Sequence, residues 1–205
     1  MELAFEPADW PWRERVAERA APALARLGWA AWPGRLLLAV DAPDADHRLW
    51  FRFAPGEIVL HVHPRHFARP GGGEASPPWE MNGPEDPETA PAPPAWSAAE
   101  TDVFLHRQLL ALRDLRDGVL RPADVPPARA AAVQEVWDVT IDGRLARRGW
   151  PGLPLDRRRR LFARRFAVGG ELLPRHWTVF RRLWEWETPD HAGLVAAAAE
   201  LPPPG

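Results

Sequence analysis

Three histidines near the end of a predicted strand have the residue type and spacing of metal ligands. His61 and His63 are two residues apart, and His66 follows three residues later. Side chains two apart on a strand point to the same face, so His61 and His63 are placed to chelate one ion that His66 would complete. Zinc would be the cofactor of such a site, and we keep it as the alternative. We favour an outward sheet face without a cofactor, because the predicted strand pairing places the cation of Arg48 opposite His63.

A second group combines a histidine with carboxylates. His106 lies in an apolar, helix-forming stretch, and Asp102 precedes it by one turn. Asp102 either holds the imidazole in one tautomer or is a favourable charge in the first helical turn. Glu135, Asp138 and Asp142 fall at i, i+3 and i+7 and share one face of a predicted helix. This acidic face either points at His106 or pairs with arginine side chains.

The surroundings of His106 read VFLHRQLLALRD. This stretch resembles the active-site helix of zincin metallopeptidases, in which two histidines one turn apart bind zinc and the glutamate after the first is the general base. His106 matches the first histidine, whereas Arg107 and Leu110 occupy the positions of the glutamate and the second histidine. The resemblance therefore implies a zincin-like scaffold, and the two departures imply that standard zinc proteolysis is lost.

The later stretch VWDVTIDGRL, residues 136–145, resembles the helix that follows the active-site helix in some metallopeptidase-like domains. In total the resemblance covers residues 10–148 and would place a third ligand on this helix. It implies a non-catalytic scaffold that acts as a binding or structural module. A metal-dependent hydrolase with a non-standard site, drawn from His106 with an acidic residue or from the three clustered histidines, is the alternative.

The basic residues point to a third function. All 26 are arginine, which together with the absence of tyrosine is typical of a GC-rich genome. An arginine-rich stretch offers Arg157, Arg158, Arg160 and Arg164 as binding residues for nucleic acid or an acidic partner. The formal net charge of −2 makes nucleic acid the less favoured ligand. A protein partner or self-association is the alternative that this arginine-rich stretch also fits.

The elements that must position these residues follow from periodicity and capping signals. We predict an N-terminal helix, a small three-stranded sheet and a mainly helical C-terminal half, which is an α+β fold. The predicted helices span residues 10–27, 97–118, 127–148, 155–167, 174–186 and 189–200, and the predicted strands span residues 35–41, 48–53 and 57–63. Apolar alternation in the last two strands predicts a hairpin that pairs Phe51 with Leu60 and Leu49 with Val62.

The predicted domain organisation is a zincin-like core over residues 1–148 and a helical extension over residues 149–205. Residues 69–97 contain eight prolines and three consecutive glycines, which is typical of an irregular acidic arm or lid. The chain has no cysteine, no apolar run of membrane-spanning length and an acidic start. These features predict a cytoplasmic protein with no membrane association.

Overall fold

The computed structural model describes residues 1–41, 50–68, 95–167 and 171–203. Within them the elements run in this order: β1 (Glu2–Glu6), α1 (Arg13–Arg26), β2 (Arg35–Val40), β3 (Trp50–Ala54), β4 (Glu57–Val62), α2 (Ala98–Arg116), α3 (Ala130–Arg147), α4 (Leu155–Phe166), α5 (Pro174–Glu185) and α6 (His191–Ala199). The predicted α+β class is confirmed, because the strands precede a mainly helical C-terminal half. Contacts divide the chain into two units, residues 1–104 and 105–205. The boundary expected near residue 148 stays a prediction.

The first unit holds a four-stranded mixed sheet in the order β1-β2-β4-β3. Strands β1, β2 and β4 are parallel, and β3 runs antiparallel to β4. The expectation of three strands was wrong by one, because β1 precedes the first helix. Its five residues become a strand by pairing with β2 across α1, and such a non-local pairing leaves only a weak local signal.

The hairpin register is confirmed where the structure describes it. Phe51 pairs with Leu60 and Trp50 with His61. Gly56 in the turn has φ +74°, a conformation that favours glycine. Arg48 and Leu49, which the predicted register also used, lie outside the described residues, as does most of the predicted arm over residues 69–97.

Helix α1 buries one apolar stripe of the first unit. Val16, Ala20 and Leu24 recur every four residues and are all buried. The helix begins at Arg13, three residues later than predicted, and no side chain caps its first turn. In the sheet, Leu36 and Leu38 of β2 pair with Ile58 and Leu60 of β4. All four of these side chains are buried, so the core of this unit includes the central strands.

The second unit is built around α3, which contacts α4, α5 and α6. Twelve of its residues are buried, and they include the polar side chains of Glu135, Thr140, Asp142 and Arg144. At Gly143 an added Cβ would overlap the carbonyl oxygen of Trp184, so glycine lets α5 approach the backbone of α3. All six predicted helices are observed, with ends that shift by up to three residues.

In the part of the chain that the structure describes, no helix combines the length and the apolar character that a bilayer crossing requires.

Candidate functional site

The three histidines around β4 have partners other than a metal. The Nδ1 atom of His63 accepts from the backbone N–H of Arg65 at 3.1 Å. The Nδ1 atom of His66 accepts from the N–H of His63, also at 3.1 Å. A neutral imidazole that accepts at Nδ1 carries its proton on Nε2, so neither ring is in the tautomer that ligates through Nε2. The pair forms a capping box for a short 3-10 turn at residues 64–67.

His66 and His61 also contact side chains of the same unit. The ring of His66 stacks on Phe104 with centroids 4.9 Å apart. His61 lies 3.3 Å from a carboxylate oxygen of Asp41. Across the described ranges, no three histidine or acidic side chains are grouped so that they could hold one metal ion.

In the predicted pair of Asp102 and His106 on α2, Asp102 binds an arginine of another helix. Asp102 accepts from the guanidinium of Arg19 on α1 at 3.2 Å. His106 is 1% exposed. Its chain neighbours Leu105 and Leu109 are buried as well. Buried histidines in such apolar surroundings usually have their ring nitrogens hydrogen-bonded within the core.

The three predicted carboxylates of α3 are brought together, and two arginines bind them. Arg107 of α2 donates from Nε to Asp142 Oδ1 at 2.8 Å and places Nη2 3.4 Å from Asp138 Oδ1. Arg158 of α4 donates to Glu135 and lies 3.5 Å from Asp142 Oδ2. We call these five residues the arginine–carboxylate cluster.

The arginine–carboxylate cluster follows from helix geometry. Glu135, Asp138 and Asp142 share one face of α3, as their spacing predicted. Arg107 of α2 and Arg158 of α4 meet that face. The backbone N–H of Leu153, just before α4, also donates to Asp142 at 3.1 Å. The cluster therefore ties α2 and α4 to the central helix of the second unit.

Burial and the neighbouring charges act against each other on the pKa values of the cluster. Burial raises the pKa of Glu135, against the opposing charges of Arg158 and, more weakly, Arg165. Burial likewise raises the pKa of Asp142, against the opposing charge of Arg107, the N–H of Leu153 and the charge of Arg158. For Arg107, burial alone would lower the pKa, but the carboxylates of Asp142 and Asp138 outweigh burial and raise it.

The cluster borders a solvent-open pocket of about 360 Å³ within the second unit. Its wall is formed by Arg107, Glu135, Asp138, Leu153, Arg158, Leu161, Arg164 and Arg165. Two of the four predicted binding residues, Arg158 and Arg164, therefore line it. Arg157 and Arg160 are exposed on the same helix and do not line it. We call this cavity the arginine pocket.

Two polar atoms of the cluster lack a hydrogen-bond partner among the described residues. They are Nε of Arg158, whose side chain is 2% exposed, and Oδ2 of Asp142, whose side chain is fully buried. Buried polar atoms are usually paired, so each of these two atoms needs an explanation. Arg158 lines the arginine pocket, whereas Asp142 does not.

A second buried ion pair was missed at the level of sequence. Arg144 of α3 donates from Nη1 to Asp114 Oδ1 of α2 at 2.9 Å and from Nη2 to Oδ2. The indole of Trp137 donates to the same carboxylate at 2.8 Å. The sequence offered one indication of this pair: Arg144 follows Trp137 by seven residues and hence lies on the same buried face of the helix. Nothing in the sequence marked Asp114, which is 30 residues away, as its partner.

In comparisons with known proteins, no family model, no curated protein and no solved structure matches this chain.

Proposed function

We propose that the chain is a non-catalytic, zincin-like scaffold that serves as a binding module. The observation that carries the proposal is the ion pairing of Arg107 with both Asp138 and Asp142. In the zincin resemblance, position 107 belongs to the general base. A guanidinium there cannot accept a proton, and it occupies the carboxylates that a metal would otherwise use.

The zincin-like part of the proposal is supported by the order of elements. A helix and a small sheet precede α2, which carries His106, and the acidic face of α3 follows. His106 and Arg107 lie on the helix that the resemblance identifies. The departures at positions 107 and 110 separate this chain from a working peptidase, because the base and the second imidazole are both replaced.

The binding part of the proposal is supported by the arginine pocket. A pocket of about 360 Å³ falls in the size range of small-molecule sites. Its rim residues Arg164 and Arg165 are exposed and form no salt bridge with a residue that the structure describes, although the charge of Arg165 acts weakly on Glu135. Inner arginines held in salt bridges and outer arginines open to solvent suit a scaffold that holds an anionic ligand without transforming it.

The test measures zinc content and hydrolysis together. The purified full chain is incubated with zinc, dialysed and analysed by mass spectrometry for metal, and assayed against a mixed library of fluorogenic peptides. We expect no stoichiometric zinc and no turnover. The matched variants are His106→Ala and His61→Ala. One zinc per chain that disappears in either variant, with peptide hydrolysis, would overturn the proposal.

One observation favours a second candidate function, the docking of an acidic macromolecule. Helix α4 exposes Arg157, Arg159, Arg160, Arg164 and Arg165, and its first turn holds a single acid, Asp156. Such a helix would attract an acidic protein surface or a phosphate backbone. These five arginines spread around more than one face, however, so one partner contacts only part of them. Binding that weakens steeply with rising salt is the expected signature of this function.

A further inference from the structure

We infer that the arginine pocket is a binding site for the phosphate group of a phosphorylated, polyhydroxylated small molecule. The inference rests on the proposed function, because it assigns a ligand class to the same pocket. Four guanidinium groups and two carboxylates line the wall, so the lining has an excess of two positive charges. Asp142 pairs with Arg107 but does not line the pocket, and counting it leaves an excess of one.

The distribution of that charge indicates where the phosphate binds. The carboxylates of the wall, Glu135 and Asp138, contact Arg158 and Arg107 in the inner part of the cluster. Arg164 and Arg165 form no salt bridge with a residue that the structure describes, and Arg165 acts only weakly on Glu135. Because α4 repeats every 3.6 residues, Arg158, Leu161 and Arg165 fall on one face of that helix, and Arg164 borders it. The phosphate therefore binds between the exposed guanidinium groups of Arg164 and Arg165 and the buried guanidinium of Arg158.

A second observation points to a ligand independently of the charge count. Arg158 lines the pocket, is 2% exposed and leaves its Nε–H without an acceptor among the described residues. A buried guanidinium N–H without an acceptor is unfavourable, because it has lost its contact with water and has gained no hydrogen bond in return. A ligand oxygen in the pocket supplies the missing acceptor, and guanidinium groups match the oxygens of a phosphate in geometry as well as in charge.

The remaining wall indicates the rest of the ligand. Glu135 and Asp138 repel a second phosphate but accept hydrogen bonds from hydroxyl groups. Leu153 and Leu161 offer apolar contact to a carbon skeleton. A volume of about 360 Å³ accommodates a hexose monophosphate in size, whereas a nucleic-acid strand would need a groove that continues along the surface.

The experiment is isothermal titration of the full chain at low, constant salt with four probes: a hexose 6-phosphate, inorganic phosphate, the unphosphorylated hexose and a short single-stranded RNA. We expect one hexose phosphate per chain, weaker binding of inorganic phosphate and none of the free hexose. Arg164→Gln and Arg165→Gln are each expected to weaken hexose phosphate binding about tenfold, which corresponds to the loss of one charge-assisted contact.

The matched control is Arg181→Gln, which removes the same charge from an exposed position of α5 outside the pocket. Its affinity is expected to equal that of the wild type, and circular dichroism checks that all three variants keep their helices. Equal weakening by the control, no binding of either phosphate probe, or equal affinity for the two phosphate probes would overturn the inference. RNA that binds more tightly and displaces the hexose phosphate would assign the arginines to nucleic acid instead.

The two proposals fail in different experiments. Zinc retention with hydrolysis would overturn the non-catalytic function whatever the titration shows. Absence of phosphate binding would overturn the ligand class and leave the zinc result unaffected.

Discussion

The Nε atom of Arg107 lies 2.8 Å from Oδ1 of Asp142, and the carboxylate of Asp142 is completely buried. This contact joins α2 to α3 over 35 residues of sequence. It places a cation where the zincin resemblance expects a proton acceptor. Because both groups are largely shielded from water, the charge of each is stabilised mainly by the opposite charge of the other.

Removing the charge of Asp142 is expected to destabilise the second unit. Asp142→Asn keeps the shape of the side chain but leaves Arg107 and Arg158 with less compensation, and breaking a buried pair in this way lowers the free energy of unfolding by about 3–5 kcal/mol. Urea unfolding followed by circular dichroism measures the change. Asp117→Asn is the control, because Asp117 pairs with Arg116 at the surface and its loss is expected to change stability by at most about 1 kcal/mol. Equal effects of the two substitutions would contradict a buried pair at Asp142.

The buried pair of Asp114 and Arg144 allows a double-mutant test. Arg144→Met leaves the Asp114 carboxylate with the indole of Trp137 as its neighbouring donor, and we expect a loss of about 3 kcal/mol. Adding Asp114→Asn removes the unpaired charge and keeps an acceptor for Trp137. The double variant is therefore expected to regain more than about 1 kcal/mol relative to additive effects. Simple additivity in urea unfolding would show that the two residues do not interact.

At position 143, replacing glycine with alanine is expected to lower stability, which is the opposite of its usual effect in a helix. In an open helix a glycine-to-alanine change gains about 1 kcal/mol. Here the new Cβ would overlap the carbonyl oxygen of Trp184, so Gly143→Ala forces α3 and α5 apart and is expected to cost about 1–3 kcal/mol. Thermal unfolding measures the change. The control is Ala131→Gly, an exposed position of the same helix, where the ordinary preference is expected to hold. An increase in Tm for Gly143→Ala would contradict the close approach of the two helices.

His176 is expected to make stability depend on pH. Burial, and to a smaller extent the charge of Arg175, lower the pKa of His176 below its ordinary value of 6.5. Arg175 donates to Nε2 at 3.2 Å, and a guanidinium cannot accept, so this contact favours the neutral imidazole in the folded state. The unfolded state then binds more protons below pH 6.5, and the free energy of unfolding falls as the pH decreases from 6.5 towards the folded pKa.

The measurement is urea unfolding of the wild type and His176→Gln at several pH values between 5 and 8, which bracket the ordinary histidine pKa. As the pH falls below 6.5, the free energy of unfolding of the wild type is expected to decrease relative to that of His176→Gln. Arg175→Gln is expected to reduce this change, because it removes the cation that opposes protonation. A constant difference across the range would rule out a depressed histidine pKa.

Much of the secondary structure was predictable, because its causes are local. The alternation in β3 and β4 predicted their register, and the described pairs of Phe51 with Leu60 and Trp50 with His61 confirm it. Strand β1 was missed because its pairing with β2 crosses a whole helix. The prediction that the three carboxylates of α3 share one face was confirmed, since i, i+3 and i+7 spacing places residues together in any helix.

What the sequence determined by itself is the set of elements and the residue types on each face: a capped or periodic stretch forms its helix or strand through contacts a few residues away. Only the tertiary structure decided that Arg107 and Arg158, out of 26 arginines, meet the carboxylates of α3, and that Arg144 meets Asp114. These partners are 16 to 35 residues apart. Electrostatic attraction is the same for every arginine, so the choice among them depends on which helix faces pack together.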